Sequence, residues 1–169
     1  MGNQPSSVCC DAISDANAML ERHKELTPEE EIDFMNNMVN GCDTQIVFAD
    51  GSSMPCTVLY DLAEDCLHLL VDEKKRVVPL RDVEEILGID SVAGLSNVDK
   101  SLIIDPHIVA FRLLSTKKAI LLRFEEIKDS QGFYHFLKEI IQENGETTHQ
   151  SVPSSPPPED ETPSHTIIF

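Results

Sequence analysis

Asp129-Ser130-Gln131-Gly132-Phe133-Tyr134-His135-Phe136-Leu137-Lys138-Glu139-Ile140-Ile141 is the stretch on which the rest of the chain must be arranged. Phe133, Phe136, Leu137, Ile140 and Ile141 recur at i, i+3, i+4, i+7 and i+8, so they line one side of a helix. Asp129 suits the N-cap, where its carboxylate accepts from backbone N–H groups that lack partners. Asn144-Gly145 reads as the stop, which gives a helix from Asp129 to about Glu143. A stripe carrying two phenylalanines needs an apolar surface to cover, and the residues before it supply one.

From Thr44 the hydrophobic period falls to two. Strand candidates are Thr44–Ala49, Pro55–Tyr60, Cys66–Asp72, Arg76–Leu80, Val83–Ile89, His107–Leu114 and Lys118–Phe124. Asp50-Gly51 is a hairpin turn signal. Asp61–Asp65 and Asp72–Lys75 are polar breaks, and Ser115-Thr116 joins the last two strands tightly. Gly88–Asp105, with Gly94, Asn97 and Asp99, reads as a longer loop. Seven strands in succession bend into an antiparallel barrel with an open end, and the amphipathic helix plugs it, which removes apolar surface from water and protects sheet edges. The fold class is therefore mostly β with α.

Two helices precede the strands. Residues 11–26 carry Ile13, Ala16, Leu20 and Leu26 on one side. The second helix has stronger signals: Thr27 caps it, Pro28 takes the first helical position, and Glu30 completes a T-x-x-E capping box. Ile32, Met35, Met38 and Val39 form its apolar stripe, and Gly41 ends it. The domain organisation is an anchor over 1–10, a helical extension over 11–43, the barrel domain over 44–144, and an acidic, Pro/Ser-rich disordered tail over 145–169. In that tail, Ser155-Pro156 and Thr162-Pro163 fit proline-directed phosphorylation, and Ile167-Ile168-Phe169 closes the chain.

The first ten residues, Met1-Gly2-Asn3-Gln4-Pro5-Ser6-Ser7-Val8-Cys9-Cys10, match the M-G-x-x-x-[ST] pattern of N-myristoylation, with Gly2 as acceptor and Ser6 at the required spacing. One myristoyl chain binds a bilayer with an association constant of only about 10⁴ M⁻¹, so a second signal is needed. Residues 1–43 offer two basic side chains, Arg22 and Lys24, against nine acidic ones, and an anionic leaflet gives such a flank no attraction. Palmitate on Cys9, Cys10 or both is the remaining second signal.

The whole chain of 169 residues has a formal charge of −17. Nucleic-acid affinity comes from clustered Lys and Arg, so this composition excludes a nucleic-acid binder and turns attention to protein partners. No apolar run approaches the ~18–20 residues of a membrane span. Five cysteines without paired spacing suggest neither a disulfide framework nor a metal site. Cys42, Cys56 and Cys66 read as small core residues. The six histidines are scattered, and motifs for phosphate loops, nucleophile elbows and metalloproteases are absent. The chain reads as non-enzymatic, with no cofactor.

Val77-Val78-Pro79-Leu80-Arg81-Asp82-Val83-Glu84-Glu85-Ile86-Leu87-Gly88 resembles the fourth and fifth strands of pleckstrin-homology domains, especially those of phospholipases C. Lys118–Phe124 and the helix after it resemble that domain's ending. This likeness covers about residues 44–143. The closing helix departs from the pattern, with Phe133 and Phe136 but no tryptophan. Phosphoinositide-binding members carry Lys and Arg around the first hairpin, where this chain has Phe48-Ala49-Asp50-Gly51-Ser52-Ser53-Met54-Pro55 and no cation. The N-terminal acylation signals together with this domain resemble the inner membrane complex sub-compartment proteins of apicomplexan parasites. That resemblance implies myristate on Gly2, palmitate on Cys9 and Cys10, residence on the cytoplasmic face of the inner membrane complex, and protein interaction during daughter-cell assembly. The alternative is a sensor of phosphoinositides or other anionic lipids using Lys74, Lys75, Arg76, Lys117 and Lys118.

Overall fold

The structure, a computed structural model, describes residues 24–88, 95 and 97–147. Gly2, Cys9 and Cys10, most of the first expected helix, and the tail from 148 onward lie outside the described residues. Residues 24–26, which the sequence assigns to the end of that helix, are irregular backbone. The elements are α1 (Pro28–Asn40), β1 (Cys42–Val47), β2 (Ser53–Asp61), β3 (Cys66–Val71), β4 (Lys74–Pro79), a 3-10 turn (Leu80–Asp82), β5 (Val83–Leu87), α2 (Asn97–Leu102), β6 (Ile108–Leu113), β7 (Ala119–Phe124) and α3 (Ile127–Thr147).

The strands form one antiparallel sheet in the order β4-β3-β2-β1-β7-β6-β5. β4 and β5 sit at opposite edges, yet only Leu80–Asp82 separates them in the chain. Three residues span at most about 10 Å, so the sheet must curl until its edges approach. The result is a pleckstrin-homology-like half-barrel with an unpaired seam. α3 lies across β5, β6, β7 and the 3-10 turn, and so covers that seam as the sequence pattern requires.

The stripe of α3 faces the core. Phe133 and Leu137 are fully buried and Phe136 is nearly so, while Ile140 and Ile141 pack at its margin. The Phe133 ring lies 5.2 Å from Phe124 and 6.0 Å from Phe111, and Phe136 meets Tyr60 edge-on at 5.0 Å. Both ends of the helix differ from the sequence reading. It begins at Ile127, so Asp129 lies inside the first turn, where burial first and then Glu126 raise its carboxyl pKa. It also passes through Asn144-Gly145. The Asn144 amide donates to the Leu80 carbonyl at 3.4 Å, and a glycine is tolerated in a helix at a cost of about 1 kcal/mol.

α1 has the expected start. The Thr27 hydroxyl accepts from Glu30 N at 3.3 Å, and the Glu30 carboxylate accepts from Thr27 N at 2.8 Å. Its inward face is rotated from the expected stripe: Phe34 and Met38 are buried, Met35 is half-buried, and Ile32 and Val39 are exposed. Gly132 of α3 explains the rotation. A Cβ there would sit 2.6 Å from Phe34 Cγ and Cδ2, so its absence lets the ring nest against the helix backbone.

Strands β1 and β2 are joined by five residues, Phe48–Ser52, around the expected Asp50-Gly51 turn, with Gly51 at φ 83° supplying the left-handed backbone. The long loop before β6 contains α2, which seats Leu95, Leu102 and Ile103 against Val47, Leu87, Ile108, Ala110 and Leu121. Because side chains alternate along a strand, this is a second small core on the opposite face of the sheet from Val109 and Phe111. Cys42 and Cys56 belong to the main core, as expected. Cys66 is buried too, but its neighbour Leu67 points into the core, so Cys66 faces the other way.

Candidate functional site: a charged cleft between the β1–β2 loop and the β6–β7 turn

The β1–β2 loop, β4, β5, α2 and the β6–β7 turn bound a cleft of about 680 Å³. Its apolar floor comes from Ile46, Val47, Ala119 and Leu121, with Phe48 at the rim. Arg76, Arg112, Lys117 and Lys118 supply positive charge, and Glu84 and Asp99 supply negative charge.

Each charged group is there for a local reason. Arg76 pairs with Leu69 across the β3–β4 ladder, so alternation places it on the concave side. Lys74 and Lys75 are exposed at the start of β4 and do not line the cleft. The cluster Lys74-Lys75-Arg76 thus runs along the strand rather than occupying the hairpin tip, which is Asp72-Glu73. A β-bulge between Val83 and Glu85 leaves Glu84 out of the ladder, and such bulges re-aim side chains. Glu84 Oε1 accepts from Lys117 Nζ at 2.6 Å, and Glu85 pairs with Arg112 across the β5–β6 ladder.

The β6–β7 turn is held by a residue to which sequence reading assigned no role. Asp82 accepts from Ser115 N at 2.8 Å and Ser115 Oγ at 2.6 Å through its carboxylate, and from Leu114 N at 2.7 Å through its carbonyl. That anchor fixes the turn in which Lys117 adopts φ 56°, a left-handed conformation unusual for a side-chain-bearing residue. The only advance signal was an acidic residue between two strands, which has no pattern of its own.

The β1–β2 loop directs no cation into the cleft. Asp50 Oδ1 accepts from Ser52 N at 2.9 Å and from Ser52 Oγ at 2.6 Å. These bonds hold the Asp50 carboxyl below its usual range, the side-chain bond first. The cleft therefore gathers Arg76, Lys117 and Lys118 from the expected cationic set, adds Arg112, and leaves out Lys74 and Lys75. Two of its four cations, Arg112 and Lys117, are paired with carboxylates.

A comparison with curated proteins found no match. Among solved structures, inner membrane complex sub-compartment protein 3 from Toxoplasma gondii is similar with a TM-score of 0.60 and 28% identity, covering 72% of this chain and 90% of that one. Sub-compartment protein 1 from the same organism is similar with a TM-score of 0.59 and 27% identity, covering 70% of this chain and 96% of that one. The family model described as ISP3 C-terminal matches residues 30–139, well over half of the chain, and the chain belongs to that family.

Proposed function

We propose that this chain is a non-catalytic, lipid-anchored interaction module of the inner membrane complex, with myristate on Gly2 and palmitate on Cys9 and Cys10. The family membership and the two Toxoplasma relatives support the location. The N-terminal motif supports the anchor, and no helix among the described residues is long and apolar enough to cross a membrane. The domain holds protein partners at the membrane surface, as a scaffold in daughter-cell assembly.

The observation that carries the protein-partner reading is the charge pairing in the cleft. A multiply charged headgroup needs several charge-assisted donors aimed at one point. Here Arg112 and Lys117 are engaged by Glu85 and Glu84, and Asp50 and Ser52 satisfy each other. An apolar floor with mixed charge at the rim suits a peptide segment with an acidic residue beside apolar ones.

The convergence of Arg76, Lys117 and Lys118 favours a second reading, an anionic headgroup site. Titrating the full-length unlipidated protein with soluble inositol polyphosphates, followed by amide shifts, separates the two. No saturable shift is expected at Arg76, Glu84, Lys117 or Lys118. Saturable micromolar binding there establishes the headgroup site instead. The anchor is tested in cells: Gly2→Ala should leave the protein soluble, and Cys9→Ser/Cys10→Ser should weaken its retention. Stable, correctly placed membrane residence of either variant rejects the anchoring mechanism.

A further inference from the structure

At the start of β3, Cys66 and His68 share the face of the sheet turned away from the main core, as residues two apart on a strand must. Both are buried, and Cys66 Sγ lies 3.3 Å from His68 Nε2. Glu64 joins them from the connection before the strand. Asp61 Oδ1 accepts from Ala63 N at 3.0 Å and Glu64 N at 3.2 Å, which folds that connection back. Asp65 adopts φ 51°, and its carbonyl accepts from Leu80 N at 3.1 Å. Glu64 Oε2 consequently reaches within 3.9 Å of Cys66 Sγ. One ligand atom from each of the three residues lies within 4.8 Å of the other two.

We propose that Glu64, Cys66 and His68 form a binding site for a divalent cation of the zinc type. A tetrahedral ion with bonds of about 2.0–2.3 Å holds its ligand atoms about 3.3–3.7 Å apart. The Cys66–His68 separation meets that spacing already, and the exposed Glu64 needs a small side-chain adjustment. Thiolate, imidazole and carboxylate together select a borderline metal over magnesium or calcium, which prefer oxygen ligands. Three protein ligands leave the fourth position to water on the open, Glu64 side. On binding, the Cys66 thiol gives its proton to solvent as the sulfur–metal bond forms. Burial first, then the nearby Glu64 and Asp61 carboxylates, push the Cys66 thiol above its ordinary value. The ion would offset that negative charge and tie the β2–β3 connection to the sheet.

The site is separate from the cleft and independent of the anchor, so it stands or falls without them. The test uses the full-length chain carrying Cys9→Ser and Cys10→Ser, which removes the two adjacent terminal thiols. Cys42 and Cys56 do not compete, since among the described residues neither has two further ligand side chains gathered around its sulfur. Titration with cobalt(II) should give one equivalent bound, with a thiolate-to-cobalt charge-transfer band and the d–d intensity of tetrahedral coordination. Cys66→Ser should abolish the band. Glu64→Gln, at an exposed position that leaves folding intact, should weaken binding at least about tenfold, and His68→Gln should weaken it further. Zinc should raise the melting temperature of the parent protein and leave that of His68→Gln unchanged. Absence of a charge-transfer band, a band that survives Cys66→Ser, or parent-like affinity in both Glu64→Gln and His68→Gln overturns the proposal. In that case the contact is an S–H···N hydrogen bond alone.

Discussion

Gly132→Ala is the substitution in which local preference and tertiary packing oppose each other most directly. In an exposed helix interior, alanine is more favourable than glycine by about 1 kcal/mol, so helix propensity alone forecasts a more stable protein. The structure forecasts the reverse. The new Cβ would stand 2.6 Å from Phe34 Cγ and Cδ2 and 3.0 Å from Cδ1. Turning the ring about χ2 leaves Cγ in place, so relief requires a new χ1 rotamer for a buried ring or a shift of α1. Phe34 is buried, and its helix also seats Met38 at 0% exposure. Inserting a methyl group into a packed contact of this kind costs about 1–3 kcal/mol. Set against the helical gain, the expected outcome is a net loss of up to about 2 kcal/mol. The decisive measurement is a double-mutant cycle by urea unfolding. In a Phe34→Ala background the obstruction is gone, and Gly132→Ala should then stabilise by about 1 kcal/mol. A coupling of about 1–3 kcal/mol between the two positions is expected. If Gly132→Ala stabilises the wild-type protein, or acts equally in both backgrounds, the account of how α1 docks on α3 is wrong.

Three other variants bear on stability. Asp82→Ala removes two hydrogen bonds to Ser115 and should cost about 1–3 kcal/mol, with faster amide exchange at Ser115; unchanged exchange there would show that the β6–β7 turn holds itself. Thr27→Ala should cost about 1 kcal/mol as a lost N-cap. The Glu30 carboxyl is lowered chiefly by its backbone hydrogen bond to Thr27, so its share of the capping energy is present above the ordinary glutamate value and is lost as pH falls through the lowered one. The stability difference between wild type and Glu30→Gln should therefore shrink on acidification, and a difference that stays constant with pH would refute the capping role.

The strands were legible because their signal is local. Alternating apolar residues and polar breaks located all seven, with ends within two residues of the observed ones. The closing stripe was equally legible, since Phe133, Phe136 and Leu137 keep strict helical spacing. What sequence reading missed depends on partners far along the chain. Ile32 and Val39 fit the α1 stripe as well as Phe34 does in periodicity, and only Gly132, about a hundred positions later, makes Phe34 the better residue to turn inward. Likewise α2 has too few residues to show a period of its own. It exists because Leu95, Leu102 and Ile103 find an apolar sheet face to cover.

The cleft was legible in part, and the boundary is instructive. Strand alternation alone separates Arg76 from Lys75, and a hairpin register would have placed Arg76 on the concave side with Leu69. The bulge at Glu84 carries no sequence signature, so the pairing of Glu84 with Lys117 was hidden, as was the anchoring of the turn by Asp82. These hidden acids change how the cationic residues should be read. A run such as Lys74-Lys75-Arg76 suggests an anion site when counted along the chain. Folding disperses the run across two faces and draws Lys117 and Arg112 onto carboxylates. In a chain of formal charge −17, a cation brought into a cleft arrives with acids around it, and its attraction for an outside anion is reduced by each pair already formed. The same surplus of carboxylates acts in the opposite direction at Glu64, where a buried thiol and imidazole add borderline ligands to negative charge. The ligand preferences of this fold are therefore set by where its acids land.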